Sequence, residues 1–372
     1  MKLTEEQRNA SHCEDNLMLT ACPGSGKTRV IISKLSRAVD EVRETPRSVA
    51  CVTYTNTAVH EIEARLRHHI QPGDDAYYDI CTIHSFCLNH IFRPFCHLIA
   101  GYKKGFKILT PDSADFEKIV TAVCAQFNRH NLTFQDFDEF TQLRLGVDGN
   151  PAGQVLQRGA ITPQIASAYW KRMREAGYID FANILYYSYR LLEKRPEILS
   201  YVSAKFAWIL VDEFQDTTDI QVEILTLIAN AGRTKFLLVG DPRQSIFGFA
   251  GARPDLADIF AERIKARTDL TLSGNFRCST PIVKHAICFM RAHRQCRPWG
   301  RRATLRSHPC GRAAFGIQSD HRLFSAGARK LQYPDWRCGN PSTVLVFTVS
   351  VGTTFTRIWD LDRRAGRAAI QA

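Results

Sequence analysis

The sequence predicts a doubly wound α/β fold, in which helices cover both faces of a mostly parallel sheet. Short continuous apolar runs, amphipathic segments between them and a glycine-rich turn after the first run lead to this prediction. Continuous apolar runs are typical of parallel strands, because such strands are buried on both faces. A length of 372 residues with 45% apolar content allows two or three domains with substantial cores.

The individual elements follow from local patterns, since apolar runs predict strands and apolar positions three and four apart predict helices. In chain order these elements are strand 16–21, helix 28–39, strand 48–54, helix 58–70, strand 208–211 and strand 235–239. Residues 105–175 differ, because polar and aromatic residues with helical spacing, as in 116–120 and 134–145, replace any strand-like run. We therefore predict a small helical insertion over 105–175.

The net charge of +12 is unevenly distributed along the chain. Residues 291–372 contain fourteen Arg, one Lys, four Asp and no Glu, so this tail carries +11 and the remainder is nearly neutral. Charge alone therefore does not predict nucleic-acid binding by the first 290 residues. The tail composition is typical of a GC-rich gene read out of frame, or of a disordered end; a basic nucleic-acid-binding tail is the alternative. Within the tail, only 342–347 resembles a strand.

Cysteine and apolar patterns restrict the class of protein. The twelve cysteines are scattered, and no two are spaced as Cys-x-x-Cys. Reduced, mostly buried thiols are therefore expected in place of a disulfide framework or a zinc site. The sequence has no apolar run of about 18 residues and no signal-peptide pattern at its start, so a cytoplasmic location is the expectation.

A glycine-rich turn joins the first predicted strand to the first predicted helix. It consists of Ala21, Cys22, Pro23, Gly24, Ser25, Gly26, Lys27 and Thr28. Glycines let a backbone wrap a phosphate group closely, and the N–H groups that begin the helix face the anion. Lys27 would reach the β- and γ-phosphates, and the Thr28 hydroxyl would bind Mg²⁺. The turn predicts nucleotide binding; a glycine turn without a ligand is the alternative.

Polar residues follow the two later strands. Asp212 ends a buried strand, where a carboxylate is costly unless a cation such as Mg²⁺ compensates it. Glu213 is then placed to activate an attacking water molecule; alternatively, both acids only cap a loop. Gln244, after strand 235–239, is placed to sense the γ-phosphate. Phe249 is either a core residue or a stacking surface for bases.

Two of these motifs resemble those of the UvrD/Rep family of superfamily 1 DNA helicases: Asp-Glu-x-Gln-Asp at 212–216 and Gly-Asp-x-x-Gln-Ser-Ile at 240–246. Further motifs agree in order from residue 3 to about residue 285. The resemblance implies a RecA-like P-loop NTPase domain whose catalytic residues are Lys27, Asp212, Glu213, Gln244 and Arg277. It also implies that Gln7 reads the adenine edge, that Phe276 stacks on adenine and that Arg29 touches the nucleotide.

The same resemblance implies a path for single-stranded DNA. The residues that correspond to DNA contacts are Tyr54, Thr55, Asn56, Thr82, His84 and Phe249, with Tyr54 and Phe249 at stacking positions. Asp180-Phe181 corresponds to a short motif where the insertion returns to the core. Thr57 and Ala250 depart from the family pattern of Lys and Arg, so weaker DNA binding is expected.

The resemblance further implies ATP and Mg²⁺ as cofactors and movement along DNA in the 3′-to-5′ direction. It divides the chain into a first RecA-like domain (1–104 and 176–268, interrupted by 105–175), the start of a second (269–290) and the tail (291–372). A Thr-x-His-x-x-Lys-Gly motif and a second arginine for the γ-phosphate, which belong to the family, are not found. A truncated or aberrant second domain is therefore expected.

Two alternatives to a complete motor stay open: a non-catalytic ATP-binding fragment, and a partner-docking subunit of a defence complex. Within the family, 91–95 and 275–278 resemble most the helicase subunit of the Gabija anti-phage system, which would imply a nuclease subunit as partner. No nuclease constellation is visible in the sequence, because the acids that can be assigned belong to the ATP site.

Overall fold

The computed structural model describes residues 2–241, 244–245, 251–253, 255–284 and 286, and the backbone of 360–361 and 368–369. Contacts divide the chain into Met1–Arg297 and Pro298–Ala372. In the second unit, Asp360–Leu361 pairs with Ala368–Ala369 as antiparallel strands. The predicted strand 342–347 lies outside the described residues. The fold and the site that follow belong to the first unit.

The described part of the first unit alternates strands and helices. Its strands are β1 Leu17–Ala21, β2 Ser48–Thr53, β3 Tyr78–Thr82, β4 Lys107–Ile108, β5 Arg144–Leu145, β6 Pro151–Ala152, β7 Tyr178–Ile179, β8 Phe206–Val211, β9 Lys235–Gly240 and β10 Thr271–Leu272. Its α-helices are α1 Glu5–His12, α2 Lys27–Val42, α3 Asn56–Leu66, α4 Ile83–Phe86, α5 Arg93–Phe95, α6 Ala114–Gln126, α7 Phe134–Thr141, α8 Gln154–Gln157, α9 Pro163–Glu175, α10 Phe181–Lys194, α11 Pro196–Lys205, α12 Asp219–Asn230 and α13 Leu256–Arg263. Cys87–Phe92 is a π-helical turn, and Asp74–Tyr77, Cys96–Leu98 and Phe214–Asp216 are 3₁₀ turns.

Six strands form one parallel sheet in the order β10-β1-β9-β8-β2-β3. The chain leaves β1 and returns to the sheet three positions away, at β2, so the strand order reverses beside β1. The carboxyl ends of parallel strands meet at one edge, and open α/β sheets bind ligands at that edge, where the order reverses. The motif residues predicted from the sequence follow β1, β2, β3, β8 and β9, and the fold therefore gathers them at this edge.

Neighbouring residues of the central strands enter opposite cores. On β2, Val49 and Cys51 belong to one buried cluster, and Ala50 and Val52 belong to the other. The same alternation holds along β8 and β9. Because each fully buried aliphatic side chain contributes about 1.5–3 kcal/mol, both layers of helices are held to the sheet by these contacts. This two-sided burial is the reason for the continuous apolar runs in the sequence.

Helix starts near the site are fixed by capping residues. Thr4 and Gln7 form a reciprocal capping box at α1, in which each side chain accepts a hydrogen bond from the backbone N–H of the other residue. Asp180 caps α10 by accepting a bond from the backbone N–H of Asn183 at 2.8 Å. Gly26, in the left-handed conformation, precedes α2 without a side-chain cap. The start of α2 therefore keeps its N–H groups available to a ligand.

The parallel α/β fold is confirmed, with local differences from the predicted elements. The sequence patterns missed β3 and β10. In the predicted insertion, helix 134–145 was wrong at its end: α7 stops at Thr141, and β5 pairs with β6. The backbone N–H of Gly146 donates to the carbonyl of Asn150 at 2.9 Å, and this bond closes the turn between β5 and β6. The prediction that 105–175 lacks strands was also wrong, because this segment contains β5 and β6, and also β4, which pairs with β7.

The segment between Leu109 and Met173 has its own buried cluster, which includes Phe116, Tyr169 and Trp170. The division into domains stays a prediction. None of the described helices is long and apolar enough to cross a membrane. All eight described cysteines are free, and six of them are buried. Among the described residues, no group of three or more His, Cys, Asp or Glu is arranged to hold a metal ion.

Candidate functional site

The turn after β1 is shaped for a close ligand. Gly24 and Gly26 have φ values of +72° and +89°, which residues with a side chain rarely adopt. A Cβ atom on Gly26 would lie 2.5 Å from Nε2 of Gln7. Ser25 is 1% exposed, and its hydroxyl has no hydrogen-bond partner in the described part of the chain. A buried hydroxyl without a partner fits a ligand that accepts hydrogen bonds, such as a phosphate group.

Gln7 joins α1 to this turn. Its Nε2 donates to the Ser25 carbonyl at 2.8 Å, and its Oε1 accepts from the Thr4 backbone N–H at 3.1 Å. The side chain is buried, so its first role in the structure is to position the turn. The adenine contact stays a prediction for Gln7. Arg29, another predicted nucleotide contact, is exposed and lines an open cavity of about 860 Å³ beside Thr4.

Lys27 and Glu213 form an ion pair across the ends of β1 and β8. Nζ of Lys27 lies 2.7 Å from Oε2 of Glu213, and the two side chains are 12% and 37% exposed. Glu213 has a φ of +50°, in the left-handed region that a glutamate seldom adopts. Such backbone strain is found mainly where the surrounding structure holds a functional side chain in place. The two residues with the most specific predicted roles are thus in direct contact.

Asp212 is the buried carboxyl group of the site. Burial, and then the neighbouring charge of Glu213, raise its pKa to about 7, and Lys27 opposes this shift. One oxygen accepts a bond from the Glu213 backbone N–H at 3.0 Å. A divalent cation would offset the cost of ionising Asp212. Together with the hydroxyl of Thr28, in the first turn of α2, Asp212 supplies the hard oxygen donors that suit Mg²⁺.

Gln215 is a residue whose position in the site the sequence did not reveal. It is 2% exposed; its Nε2 donates to Oε2 of Glu213 at 2.8 Å, and its Oε1 accepts from the Asp241 backbone N–H at 2.9 Å. Asp241 in turn accepts a bond from Nε2 of Gln244 at 2.7 Å. A continuous hydrogen-bonded chain therefore runs from Lys27 to Gln244 across the ends of three neighbouring strands. Gln215 belongs to the Asp-Glu-x-Gln-Asp motif at 212–216, but only the fold shows which groups it contacts.

The predicted DNA contacts lie at the ends of β2 and β3. Thr55 caps α3 by accepting from the Ala58 N–H at 3.2 Å, and Thr82 caps α4 by accepting from the Ser85 N–H at 3.2 Å. His84 packs edge-on against Phe181, with ring centroids 5.6 Å apart. Tyr54, Thr82 and His84 are partly exposed, and Thr55 and Asn56 are exposed. Phe249, the remaining predicted contact, lies outside the described residues, and so does Ala250.

The segment 273–278 packs directly against the glycine-rich turn that follows β1. Nδ2 of Asn275 donates to the Pro23 carbonyl, and the backbone N–H of Phe276 donates to the Gly24 carbonyl, both at 2.8 Å. With the bond from Gln7 to Ser25, three successive carbonyl groups of the turn are held by distant residues. The Phe276 ring is 62% exposed, and a Cβ atom on Gly24 would lie 2.8 Å from Cβ of Arg277. The structure thus brings both predicted residues, Phe276 and Arg277, to the turn.

Comparisons with known proteins agree with this arrangement. Residues 3–265 match the UvrD/REP helicase N-terminal domain family. The chain is 30% identical over 297 residues to DNA helicase II of Escherichia coli strain K12, an alignment that covers 76% of this chain and 39% of that protein. It is 29% identical over 297 residues to DNA helicase II of Salmonella typhimurium strain LT2, with the same coverage. It is 27% identical over 311 residues to the ATP-dependent DNA helicase PcrA of Staphylococcus epidermidis, covering 80% of this chain and 41% of PcrA. The chain spans about two fifths of the length of these curated relatives.

Proposed function

Because the chain belongs to the UvrD/REP helicase N-terminal domain family, we propose that it binds ATP and hydrolyses it on single-stranded DNA, as part of a 3′-to-5′ DNA helicase or translocase. The observation that carries this proposal is the ion pair of Lys27 with Glu213, 2.7 Å long, at the sheet edge that also holds the glycine turn. A binding module needs the turn and the lysine, whereas only hydrolysis needs a base beside them.

Each residue of the hydrogen-bonded chain has a role in this proposal. Lys27 would leave Glu213 for the β- and γ-phosphates, because their greater negative charge attracts its ammonium group more strongly. Glu213 would then accept the proton of the attacking water, while Gln215 keeps its carboxylate in place. Gln244 would sense the γ-phosphate and transmit its presence through Asp241. Mg²⁺, held by Thr28 and Asp212, would supply charge neutralisation of the phosphates.

DNA binding would follow the ends of β2 and β3. Tyr54 would stack on a base. The hydroxyl groups of Thr55 and Thr82, the amide of Asn56 and the imidazole of His84 would contact the sugar-phosphate backbone or neighbouring bases. Phe249 would supply a second stacking surface. The absence of the family's lysine at Thr57 weakens this surface, since each phosphate contact adds to affinity at low salt.

We further propose the domain division 1–104 with 176–268, the insertion 105–175, and the start of a second RecA-like domain at 269–290. A cytoplasmic location, as expected from the sequence, is compatible with action on DNA. A nuclease subunit as partner, and a role in anti-phage defence, rest only on the resemblance of 91–95 and 275–278 to one branch of the family. Co-purification of a nuclease with the tagged chain would test this finer proposal.

The experiment that tests the main proposal is ATP hydrolysis by the full chain, with and without a dT oligonucleotide. We expect DNA-stimulated turnover, loss of turnover with retained ATP binding in Glu213→Gln, and loss of both in Lys27→Ala. Glu175→Gln, on an exposed helix face, removes the same charge and should behave as wild type. Turnover that survives in Glu213→Gln would show that another group is the base. ATP binding without turnover in the wild-type chain would instead support a non-catalytic ATP-binding fragment, since the second arginine that the family brings to the γ-phosphate contributes about 10³-fold or more to catalysis.

A further inference from the structure

The side chain of Glu6, in the first turn of α1, binds the segment that carries Phe276. Its Oε1 accepts a hydrogen bond from the hydroxyl of Ser273 at 2.7 Å, and its Oε2 accepts one from the Ser273 backbone N–H at 3.1 Å. The bond to the hydroxyl, and then the bond to the backbone, lower the pKa of Glu6, so its carboxylate is ionised at neutral pH. The two residues are 267 positions apart in the chain, and neither has a role predicted from the sequence.

Ser273 adjoins the residue against which the Phe276 ring rests. A Cβ atom on Gly274 would lie 2.8 Å from Cζ and 2.9 Å from Cε2 of Phe276, so the ring lies directly against the Gly274 backbone. A side chain at this position would collide with the ring, which a glycine avoids. The two bonds from Glu6 therefore act on the support of the ring, one residue before it.

The backbone beside the ring is fixed separately, by the glycine-rich turn. Nδ2 of Asn275 donates to the Pro23 carbonyl at 2.8 Å. The backbone N–H of Phe276 donates to the Gly24 carbonyl, also at 2.8 Å. These bonds leave the side-chain torsions of Phe276 unrestricted, and its ring is 62% exposed. The backbone surface under the ring restricts them, and that surface is held from α1 through Ser273.

α1 can serve as a rigid support because it is bound to both parts of the site. Thr4 and Gln7 form the capping box at its start, and Nε2 of Gln7 donates to the Ser25 carbonyl at 2.8 Å. Glu6 is the neighbour of Gln7 in the same helical turn. Two successive residues of α1 thus hold the glycine-rich turn and the segment 273–278 at a fixed separation.

We propose that Glu6 is a positioning residue for nucleotide binding, which through Ser273 holds the Phe276 ring where the base of ATP stacks. This inference rests on the proposed function, in which Phe276 contacts adenine and the glycine-rich turn holds the phosphates. Glu6 touches neither part of the nucleotide. It contributes to affinity for the base alone, because a ring that is held in place before binding loses less freedom when the base arrives.

Calorimetric titration of the full chain with Mg²⁺ separates the two parts of the nucleotide. The probes are the non-hydrolysable β,γ-imido analogue of ATP and inorganic tripolyphosphate, which has no base. Glu6→Ala should weaken binding of the ATP analogue by about 3- to 5-fold, the upper end for an exposed charged pair, and leave tripolyphosphate affinity unchanged. Ser273→Ala should show a smaller loss of the same kind, because the backbone N–H remains, and Ser273→Thr, which keeps the hydroxyl, should lose less than Ser273→Ala.

A double variant tests the route through the ring. In a Phe276→Leu background, Glu6→Ala should cause no further loss of affinity for the ATP analogue, because the ring that Glu6 positions is gone. A loss as large as in the wild-type background would overturn the positioning role.

The matched control is Glu5→Ala, which removes an exposed acid from the same first turn of α1 and has a comparable effect on the helix dipole. It should leave both affinities unchanged. An equal loss in Glu5→Ala, an equal loss of tripolyphosphate affinity in Glu6→Ala, or unchanged affinity of Glu6→Ala for the ATP analogue would each overturn the inference. A wild-type chain that binds neither probe would overturn the proposed function as well. Binding of the ATP analogue without turnover of ATP would overturn only the hydrolysis.

Discussion

Replacing Gln215 by leucine should separate catalysis from nucleotide binding. The substitution removes the bond that holds the Glu213 carboxylate, and it leaves the Asp241 backbone N–H without its acceptor. The glycine turn and Lys27 are untouched. We therefore expect a chain that still binds ATP but has a poorly positioned base.

The magnitude follows from the burial of each partner. An unsatisfied N–H at Asp241, which is 4% exposed, costs about 1–3 kcal/mol. The lost bond to Glu213 adds only about 0.5–1 kcal/mol, because that side chain is 37% exposed and water screens it. The more apolar leucine offsets part of this cost, which leaves a net loss of about 1–3 kcal/mol, or about 2–6 °C in melting temperature. Misplacement of a reacting group by about 1 Å costs up to about 100-fold, so kcat should fall by about 10- to 100-fold.

Steady-state ATPase kinetics and urea unfolding of the same preparations would measure both effects. The matched control is Gln221→Leu, in which a buried glutamine loses its bond to the Thr218 N–H at 3.0 Å, outside the hydrogen-bonded chain. That control should lose stability but keep kcat, whereas Gln215→Leu should lose kcat with a KM for ATP changed by less than about threefold. An equal fall of kcat in both variants would refute the positioning role, because it would show that only general destabilisation matters.

Three more predictions concern single features of the fold. Gly26→Ala should abolish ATP binding and lower the melting temperature, as measured by nucleotide fluorescence and thermal unfolding, because its Cβ would lie 2.5 Å from Gln7 at a φ of +89°; unchanged ATP affinity would contradict this. His84, whose pKa is lowered to about 4 mainly by burial, should cost stability as pH falls from about 6.5 toward 4, since only the unfolded chain takes up the proton there. In urea unfolding, His84→Gln should lose less stability than the wild type over that interval, and parallel curves would refute the assignment. Thr57→Lys should raise affinity for a dT oligonucleotide by a few-fold at low salt and steepen the salt slope by about 0.7, unless this exposed position lies off the DNA path.

Local sequence patterns were sufficient for the central fold because its strands are buried on both faces. β1, β2, β8 and β9 are mostly apolar, and nearly all of their residues are buried. β3 was missed because Asp79 interrupts its apolar pattern. The carboxylate of Asp79 forms a hydrogen bond with the ring of His90, and this tertiary contact offsets the cost of placing the carboxylate in the strand. β10 has two residues, and its pairing with β1 leaves no pattern in sequence.

The site divides in the same way. That Lys27, Asp212 and Glu213 lie together could be predicted from motifs, since glycines before a lysine and acids after a buried strand have chemical reasons of their own; their roles stay predictions. The contacts of Gln215 could not, because they depend on the adjacency of β8 and β9. Likewise, nothing local to the hairpin of β5 and β6 indicates that β5 packs on α10. Such relationships exist only after the sheet order is known.

Gln7, Asn275 and Phe276 hold three carbonyl groups of the glycine-rich turn. These bonds bear on how fast the turn can capture a ligand. A free loop would have to search its conformations after each encounter, and ordering costs about 1–2 kcal/mol per residue. Here the turn is already fastened from two sides by segments about 270 residues apart in the chain. In the proposed function, an arriving triphosphate would meet a turn whose backbone is already held by these bonds, and Lys27 would leave Glu213 to bind it.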